Sequence, residues 1–440
     1  MSTSTTRLRQ RPTIPVKTLR VEVVAGVDQG RSLETDQELL TVGTAPGNDL
    51  TLSDDTVSRF HLELARGSDG VSVTDLGSSN GTLLGSARIE RGVVPPGTEL
   101  VLGHTRLVIG DGSGAAVELS AESELDDLKG QTEIMRRLMA QVTTAARSNA
   151  AVLVIGESGT GKELVARALH EHGARAEGPF VTLDCGALAP NLVASELFGH
   201  ERGAFTGAER QHIGAFERAD KGTLFLDEIG ELPAELQPQL LGALERRRFR
   251  RVGGRSDIAV DVRIVGATNR DLRAEVNAGV FRLDLYYRLA VVTLRIPPLR
   301  ERSADIPLLV DHFLRECGHT GGAEALVTEE TLRALTQHRW PGNVRELRNW
   351  VEATLAMGES PELAPNSVAG AAALRASAEL LDQPYKDARR ALLEDFEQRY
   401  LKHLLEATAG NVAQAARRAQ MDRTYLIKLI QRHALRPRTG

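Results

Sequence analysis

Gly156-Glu157-Ser158-Gly159-Thr160-Gly161-Lys162-Glu163 follows at once on the apolar run Ala151 to Ile155 and leads into a helical stretch ending near His170. Strand, glycine loop, lysine and helix in that order form a phosphate cradle. Backbone N–H groups and the helix dipole face a polyphosphate, and Lys162 reaches its terminal phosphates. Glu163 stands where a hydroxyl normally meets the metal. A second strand, Gly222 to Leu226, ends in Asp227-Glu228. Two carboxylates at the end of a buried parallel strand match the needs of phosphoryl transfer, with Asp227 on magnesium and Glu228 polarising the attacking water. Arg263 to Ala267 reads as a third core strand, with Thr268 and Asn269 at its end.

The elements that must position these groups come from a long chain. At 440 residues, 41% hydrophobic and 26% charged, it is sized for two to four globular domains. No apolar run approaches the ~20 residues of a membrane helix, so no membrane partner is expected. Cys185 and Cys317 are far apart and lack CxxC or His-rich spacing, which points to a reducing cytoplasm and to neither a disulfide framework nor a zinc site. The net charge of −5 hides an asymmetry. Arg20 to Gly112 carries 7 basic against 14 acidic residues, whereas Tyr385 to Gly440 carries 12 against 6. The basic tail suits nucleic acid. Gly203-Ala204-Phe205-Thr206-Gly207-Ala208 cannot fill a helix face. Two glycines, a threonine and one aromatic instead fit a mobile loop that offers Phe205 to a partner.

The run Glu196 to Arg202 entering that hexad, together with the cradle, the carboxylate pair and Trp340-Pro341-Gly342-Asn343-Val344-Arg345, resembles the bacterial enhancer-binding proteins, AAA+ activators of sigma-54 RNA polymerase. Glu163 is usual in that family. The resemblance implies that ATP and Mg2+ are bound by Gly156, Glu157, Ser158, Gly159, Thr160, Gly161, Lys162 and Glu163, with Asp227 on the metal. It assigns catalysis to Lys162, Asp227, Glu228 and Asn269, with Arg282 and Arg288 as arginine fingers reaching a neighbouring subunit, and makes Arg345 the sensor in a helical lid. Gly203 to Ala208 would contact sigma-54. Asp184 falls where the family's switch residue is normally asparagine. A homo-oligomer is implied, a hexamer in action and a dimer at rest.

Between Leu19 and Ile109, short alternating runs such as His61-Leu62-Glu63-Leu64 and Val71-Ser72-Val73-Thr74, broken by turn residues, predict an all-β sandwich. Ser58-Arg59-Phe60-His61 and Asp75 to Thr82 are spaced like a forkhead-associated (FHA) domain, which implies a phosphothreonine protein or Ser/Thr kinase as partner, held by Ser58, Arg59 and Asn80. Thr44 departs from that pattern, since the family places an arginine there and a phosphate favours a charged, forked donor. The tail from Gly410 is similar to Fis-type helix-turn-helix domains. Arg423, Thr424, Tyr425 and Lys428 would then face upstream enhancer DNA, and Gln420 stands where a turn glycine is common.

The expected multidomain order is a disordered leader (1–18), an FHA-like β-sandwich (19–112), a linker (113–126) long enough to let the sandwich swing, an α/β AAA+ P-loop ATPase with lid (127–357), a second linker (358–384) and an all-α helix-turn-helix domain (385–440). The expected function is ATP-dependent remodelling of the sigma-54 closed complex. A generic AAA+ remodeller and an FHA–DNA scaffold without sigma-54 activation remain the alternatives.

Overall fold

The computed structural model describes residues 13–358 except 38, 68–69, 121, 188–189 and 320–327, and beyond 358 only 361, 363, 401, 408, 412–418, 421, 426 and 430. The chain divides into two units, Met1–Glu362 and Leu363–Gly440.

The alternating front segment folds as two sheets. One has the strand order Arg91–Val94, Val71–Asp75, Leu62–Arg66, Leu39–Gly43, Leu50–Thr51. The other runs Ser32–Thr35, Leu19–Ala25, Thr105–Asp111, Glu99–Leu102, Thr82–Leu84, Ala87–Ile89. Because side chains alternate along a strand, Leu19, Val21 and Val23 from one sheet meet Leu62, Leu64, Val71 and Val73 from the other in a single core. Thr13–Val16, inside the expected disordered leader, pairs antiparallel with Ala115–Glu118, inside the expected linker. Extended backbone satisfies its N–H and C=O groups by pairing, so the two flanks of the sandwich join. The sandwich does not swing free either: Ala45, Phe60 and Leu76 are buried in the core of the next domain.

His61 is fully buried beneath this sandwich end. Its Nδ1 accepts from the Ser58 N–H at 3.1 Å, which requires an unprotonated Nδ1. Burial holds its pKa below the ordinary value, opposed by the nearby Asp75 carboxylate. As pH falls through about 6.5, unfolded His61 takes up a proton that the folded form refuses. Stability then falls by at most about 1.4 kcal/mol per pH unit for one proton. Calorimetry should show melting temperature dropping from pH 7.5 to 5.5, with a shallower drop in His61→Gln. His170, also held low mainly by burial, contributes equally to both proteins.

The next domain is built on a five-stranded parallel sheet, β1 (Val152–Ile155), β2 (Phe180–Asp184), β3 (Thr223–Asp227), β4 (Arg263–Thr268) and β5 (Val292–Arg295), in the order β2-β3-β4-β1-β5. Its strands are apolar without alternation because both faces are covered. Val152, Val154, Phe225 and Val265 pack under α1 (Glu133–Ala146) and α2 (Lys162–Glu171), against Leu138, Val142, Val165 and Leu169. Leu153, Leu224, Leu226 and Ile264 face the other way. There they meet α3 (Pro190–Phe198), α4 (Ala215–Arg218), α5 (Gln237–Arg246), α6 (Leu272–Asn277) and α7 (Leu283–Leu289). Asp271 caps α6, accepting from Arg273 N–H at 3.0 Å. A helical lid follows, α8 (Ile306–Glu316), α9 (Glu329–Gln337) and α10 (Asn343–Met357), with Trp340 buried between turns.

In the second unit α11 (Val412–Arg418) places Ala415 and Ala416 against Leu401, Leu426 and Ile430. The small alanines admit close packing of neighbouring helical segments, as the tail pattern requires. The four residues assigned to DNA, Arg423, Thr424, Tyr425 and Lys428, lie outside the described residues.

Candidate nucleotide site and its outputs

The cradle, Asp184, the Asp227–Glu228 pair and Asn269 leave the carboxyl ends of parallel strands, the edge at which open α/β sheets bind ligands. Gly156 follows β1, Asp184 ends β2, Asp227 ends β3 and Asn269 follows β4. Gly156 N–H donates to Thr268 O at 3.1 Å, which ties the cradle to the adjacent strand. Gly159 (φ 77°) and Gly161 (φ 103°) take left-handed conformations that let the loop turn its amides toward one point. At Gly159 an added Cβ would also lie 2.3 Å from Gly342 O, so the lid approaches only because that carbon is missing.

Lys162, 7% exposed, donates to Gly156 O at 3.2 Å and to Glu228 Oε1 at 3.1 Å. Glu228 itself sits in the left-handed region at φ 46°, rare for a residue with a Cβ. Its other oxygen accepts from Asn269 N–H at 3.3 Å. The Glu228 carboxylate is thus held between the cradle lysine and the end of β4. Burial raises the Asp227 carboxyl pKa, with the neighbouring carboxylates adding to the shift. Its Oδ1 accepts from Glu228 N–H at 3.0 Å. A partly buried carboxylate beside other carboxylates is the kind of group that suits a divalent metal. No cluster of three or more His, Cys, Asp or Glu that could hold a metal ion occurs among the described residues. Glu163 points outward to Arg167 at 3.1 Å.

Asp184 does not bond to Glu228. Its Oδ1 accepts from Gly186 and Ala187 N–H at 2.8 and 3.0 Å, closing its own turn. An asparagine Oδ1 can accept the same two bonds. Asp184→Asn is therefore expected to leave ATP turnover unchanged in a steady-state assay, and a large gain or loss would show that the charge matters.

The lid closes onto the cradle through groups that sequence reasoning passed over. Buried Asn343 donates to Glu157 Oε2 (3.1 Å) and Ser158 O (3.0 Å) and accepts from Leu299 N–H (2.8 Å). Arg300 forks Glu157 at 2.9 and 2.7 Å and is the main reason that carboxyl lies below its ordinary pKa. Arg302, lowered to about 10 by burial, donates to Thr160 O at 3.1 Å. Arg345, the assigned sensor, reaches Ser158 Oγ at 3.1 Å. The signal was present in Gly342-Asn343, where an asparagine between glycine and valine opens a helix, but its partner Glu157 lies far away in sequence.

Arg282 and Arg288 are not brought to Lys162. Arg282 immediately precedes α7 and forks Asp284 at 3.0 and 2.7 Å. Arg288 donates to Leu244 O at 3.0 Å and lines a cavity of about 250 Å³ with Asn149, Arg247 and Val291. Both are exposed on the subunit surface.

The hexad forms a turn in which Gly203 N–H donates to Ala208 O at 2.8 Å, with Gly203 and Gly207 both at positive φ. Ala208 is buried, while Phe205 remains 39% exposed, edge-on to His200 at 4.8 Å. Arg251, missed in the sequence, clamps the base of this loop by bonding Glu201 (2.8 Å) and Glu217 (2.7 Å). The base is tied by two ion pairs, and Phe205 at the tip is exposed.

At the sandwich end Ser58 Oγ accepts from Ser79 N–H at 2.9 Å, and Asn80 Nδ2 donates to Thr56 O at 2.7 Å. Arg59 and Asn80 are exposed. Arg88, across a hairpin, lies against Gly81 and donates to Ser78 O at 3.4 Å, a cation that spacing alone could not place there.

Comparison with known proteins agrees with this layout. A family model described as the sigma-54 interaction domain matches residues 128–295, an AAA+ ATPase lid domain matches 300–379, and a bacterial regulatory protein model of the Fis family matches 392–433. The front sandwich, 22–113, matches a model of the cytoplasmic domain of the inner membrane component of T3SS. The Nif-specific regulatory protein of Azotobacter vinelandii is 56% identical over 230 residues, which cover 52% of this chain and 44% of that protein, under half its length. Response regulator protein PilR of Pseudomonas aeruginosa is 46% identical over 68% of this chain and 67% of its own. Transcriptional regulatory protein ZraR of Salmonella typhimurium is 42% identical over 76% and 74%. Among solved structures, NtrX from Brucella abortus in complex with ATP has a TM-score of 0.54 and 34% identity, covering 70% of this chain and 69% of that one. With a β-sandwich in front of a sigma-54 interaction domain, an AAA+ lid and a Fis-type helix-turn-helix, the chain belongs to the AAA+ ATPase family of sigma-54-dependent transcriptional regulators.

Proposed function

We propose that this chain acts in the cytoplasm as an enhancer-bound ATPase that opens promoters held by sigma-54 RNA polymerase. The observation that carries the reading is the coexistence, in one subunit, of the Lys162–Glu228–Asn269 network and a projecting Phe205 on a loop clamped by Arg251.

ATP, which the similar NtrX structure holds, fits the amides of Gly156 to Gly161. Lys162 then exchanges Glu228 for the terminal phosphates and frees that carboxylate to orient a water. Asp227 is the residue that would hold magnesium, whose charge offsets that of the phosphates. Arg345 and Asn343 let the lid follow the cradle, and the turn at Asp184 lies between the cradle strands and the segment leading to the hexad. Arg282 and Arg288, far from their own cradle, serve the next subunit of a ring, a hexamer in action. The tail residues Arg423, Thr424, Tyr425 and Lys428 hold upstream DNA. A phosphothreonine protein is the partner for Ser58, Arg59 and Asn80, with Arg88 supplying a cation that Thr44 does not.

The test is transcription in vitro from a sigma-54 promoter. Thr206→Ala should retain ATP turnover and lose open-complex formation by about 30-fold, the equivalent of one ~2 kcal/mol hot-spot contact. If the variant opens promoters as well as the parent while both hydrolyse ATP, the chain is a remodeller or scaffold of another kind.

A further inference from the structure

The helix that carries Arg282 and Arg288, α7, and the preceding α6 are covered on one side by the sandwich. Asn277, at the end of α6, donates through Nδ2 to Phe60 O (2.5 Å) and Leu76 O (2.9 Å), and its Oδ1 accepts from Phe60 N–H (3.4 Å). One amide thus reads the backbone of two sandwich loops. Phe60 is fully buried, edge-on to Tyr286 of α7 at 5.2 Å. Glu63 takes two guanidinium groups, Arg273 at the start of α6 and Arg295 at the end of β5, the latter at 2.7 Å. Arg273 is 5% exposed, so this pairing is made away from water. Gly47 admits the ring of Tyr287: a Cβ there would lie 2.5 Å from it. Gly47 N–H donates to the Tyr287 hydroxyl at 3.4 Å.

Tyr286 and Tyr287 face the sandwich, Leu285 and Leu289 face the core, and Arg282 and Arg288 remain exposed. All three faces of this short helix are accounted for. A helix of seven residues has little stability of its own, so its placement comes from what it packs against.

We propose that the sandwich is the seat of the finger helix, with Asn277, Phe60, Glu63 and Gly47 acting as positioning residues that hold α6 and α7 where Arg282 and Arg288 meet the neighbouring subunit's nucleotide. This rests on the reading of those arginines as groups that act across a subunit boundary. Its consequence is that the front domain contributes to turnover through contact rather than by tethering. The loops it uses, at Gly47, Ser58–His61 and Leu76–Asn80, are also the ones that carry Ser58, Arg59 and Asn80.

The experiment measures ATP turnover of the full chain over a range of protein concentrations for the parent, Asn277→Ala, Gly47→Ala and Arg288→Ala, at a temperature below every melting transition. Asn277→Ala removes the amide clamp and leaves no large cavity. Gly47→Ala wedges Tyr287 from the sandwich side while leaving every residue of the ATPase domain unsubstituted. Displacement of a catalytic group by about 1 Å can cost ~100-fold. Asn277→Ala and Gly47→Ala are therefore each expected to lose 10- to 100-fold in saturating kcat while KM for ATP stays within about twofold, and the protein carrying both substitutions should lose no more than the worse single. A merely structural interface would lower melting temperature and leave the kcat of the folded protein alone. Wild-type or increased kcat in both variants, with Arg288→Ala inactive, overturns the proposal. Full turnover in Arg288→Ala instead overturns the reading of the fingers on which it rests.

Discussion

Glu228→Gln is expected to reduce ATP turnover by about 10²- to 10⁴-fold while nucleotide still binds. Glutamine preserves the volume and can still accept from Asn269 N–H, where Glu228 Oε2 now accepts at 3.3 Å. It cannot polarise a water, and it replaces the 3.1 Å ion pair to Lys162 by a weaker neutral bond. That pair lies at a partly buried site, where a charged hydrogen bond is worth roughly twice a neutral one. Lys162 is then less restrained before nucleotide arrives, so affinity should hold or rise slightly while kcat collapses. Isothermal titration with ATP and a steady-state phosphate-release assay separate the two effects. A Glu228→Gln protein with near-parental kcat would place the water-orienting group elsewhere. Turnover that falls together with affinity would indicate damage to the cradle rather than loss of a base.

Arg288→Ala is expected to cost about 10³- to 10⁵-fold, the range of an arginine that neutralises charge on a transferring phosphoryl group. The side chain is exposed and its present partner is a single carbonyl, Leu244 O at 3.0 Å, so it can be recruited at little cost. A mixing experiment decides where it acts. Arg288→Ala has an intact cradle and lacks the finger, whereas Lys162→Ala lacks the cradle lysine and keeps the finger. If the arginine serves a neighbour, mixing the two inactive proteins restores a fraction of turnover, because some boundaries then pair an intact cradle with an intact finger. If it serves its own subunit, the mixture remains as inactive as its parts. The surface position of Arg288, away from Lys162, favours recovery.

Much of this was legible along the chain because each motif is local. The cradle is one loop and one helix turn, the carboxylate pair one strand end, and the hexad six consecutive residues, so each can be read locally, the first two from their chemistry and the hexad from its resemblance to the family's loop. Alternation in the front segment and unbroken apolar runs in the middle report different burial, on one face and on both, and this separates a sandwich from a parallel sheet. The expected leader and linker were read from composition, which carries no register, and so their pairing as Thr13–Val16 with Ala115–Glu118 was not foreseen.

The sequence by itself determined which chemistry the chain carries, since phosphate cradling and water activation depend on residue types at fixed short intervals. Only the tertiary structure decided how those parts are held: that Asn343 and Arg300 bolt the lid to Glu157, that Asp184 closes its own turn, that Arg251 clamps the loop base, and that Phe60 and Glu63 of the sandwich grip α6 and the helix bearing Arg282 and Arg288. The Asp184 turn aside, such pairings join groups from 34 to 217 residues apart. They follow from which surfaces pack, and no short-range periodicity encodes that.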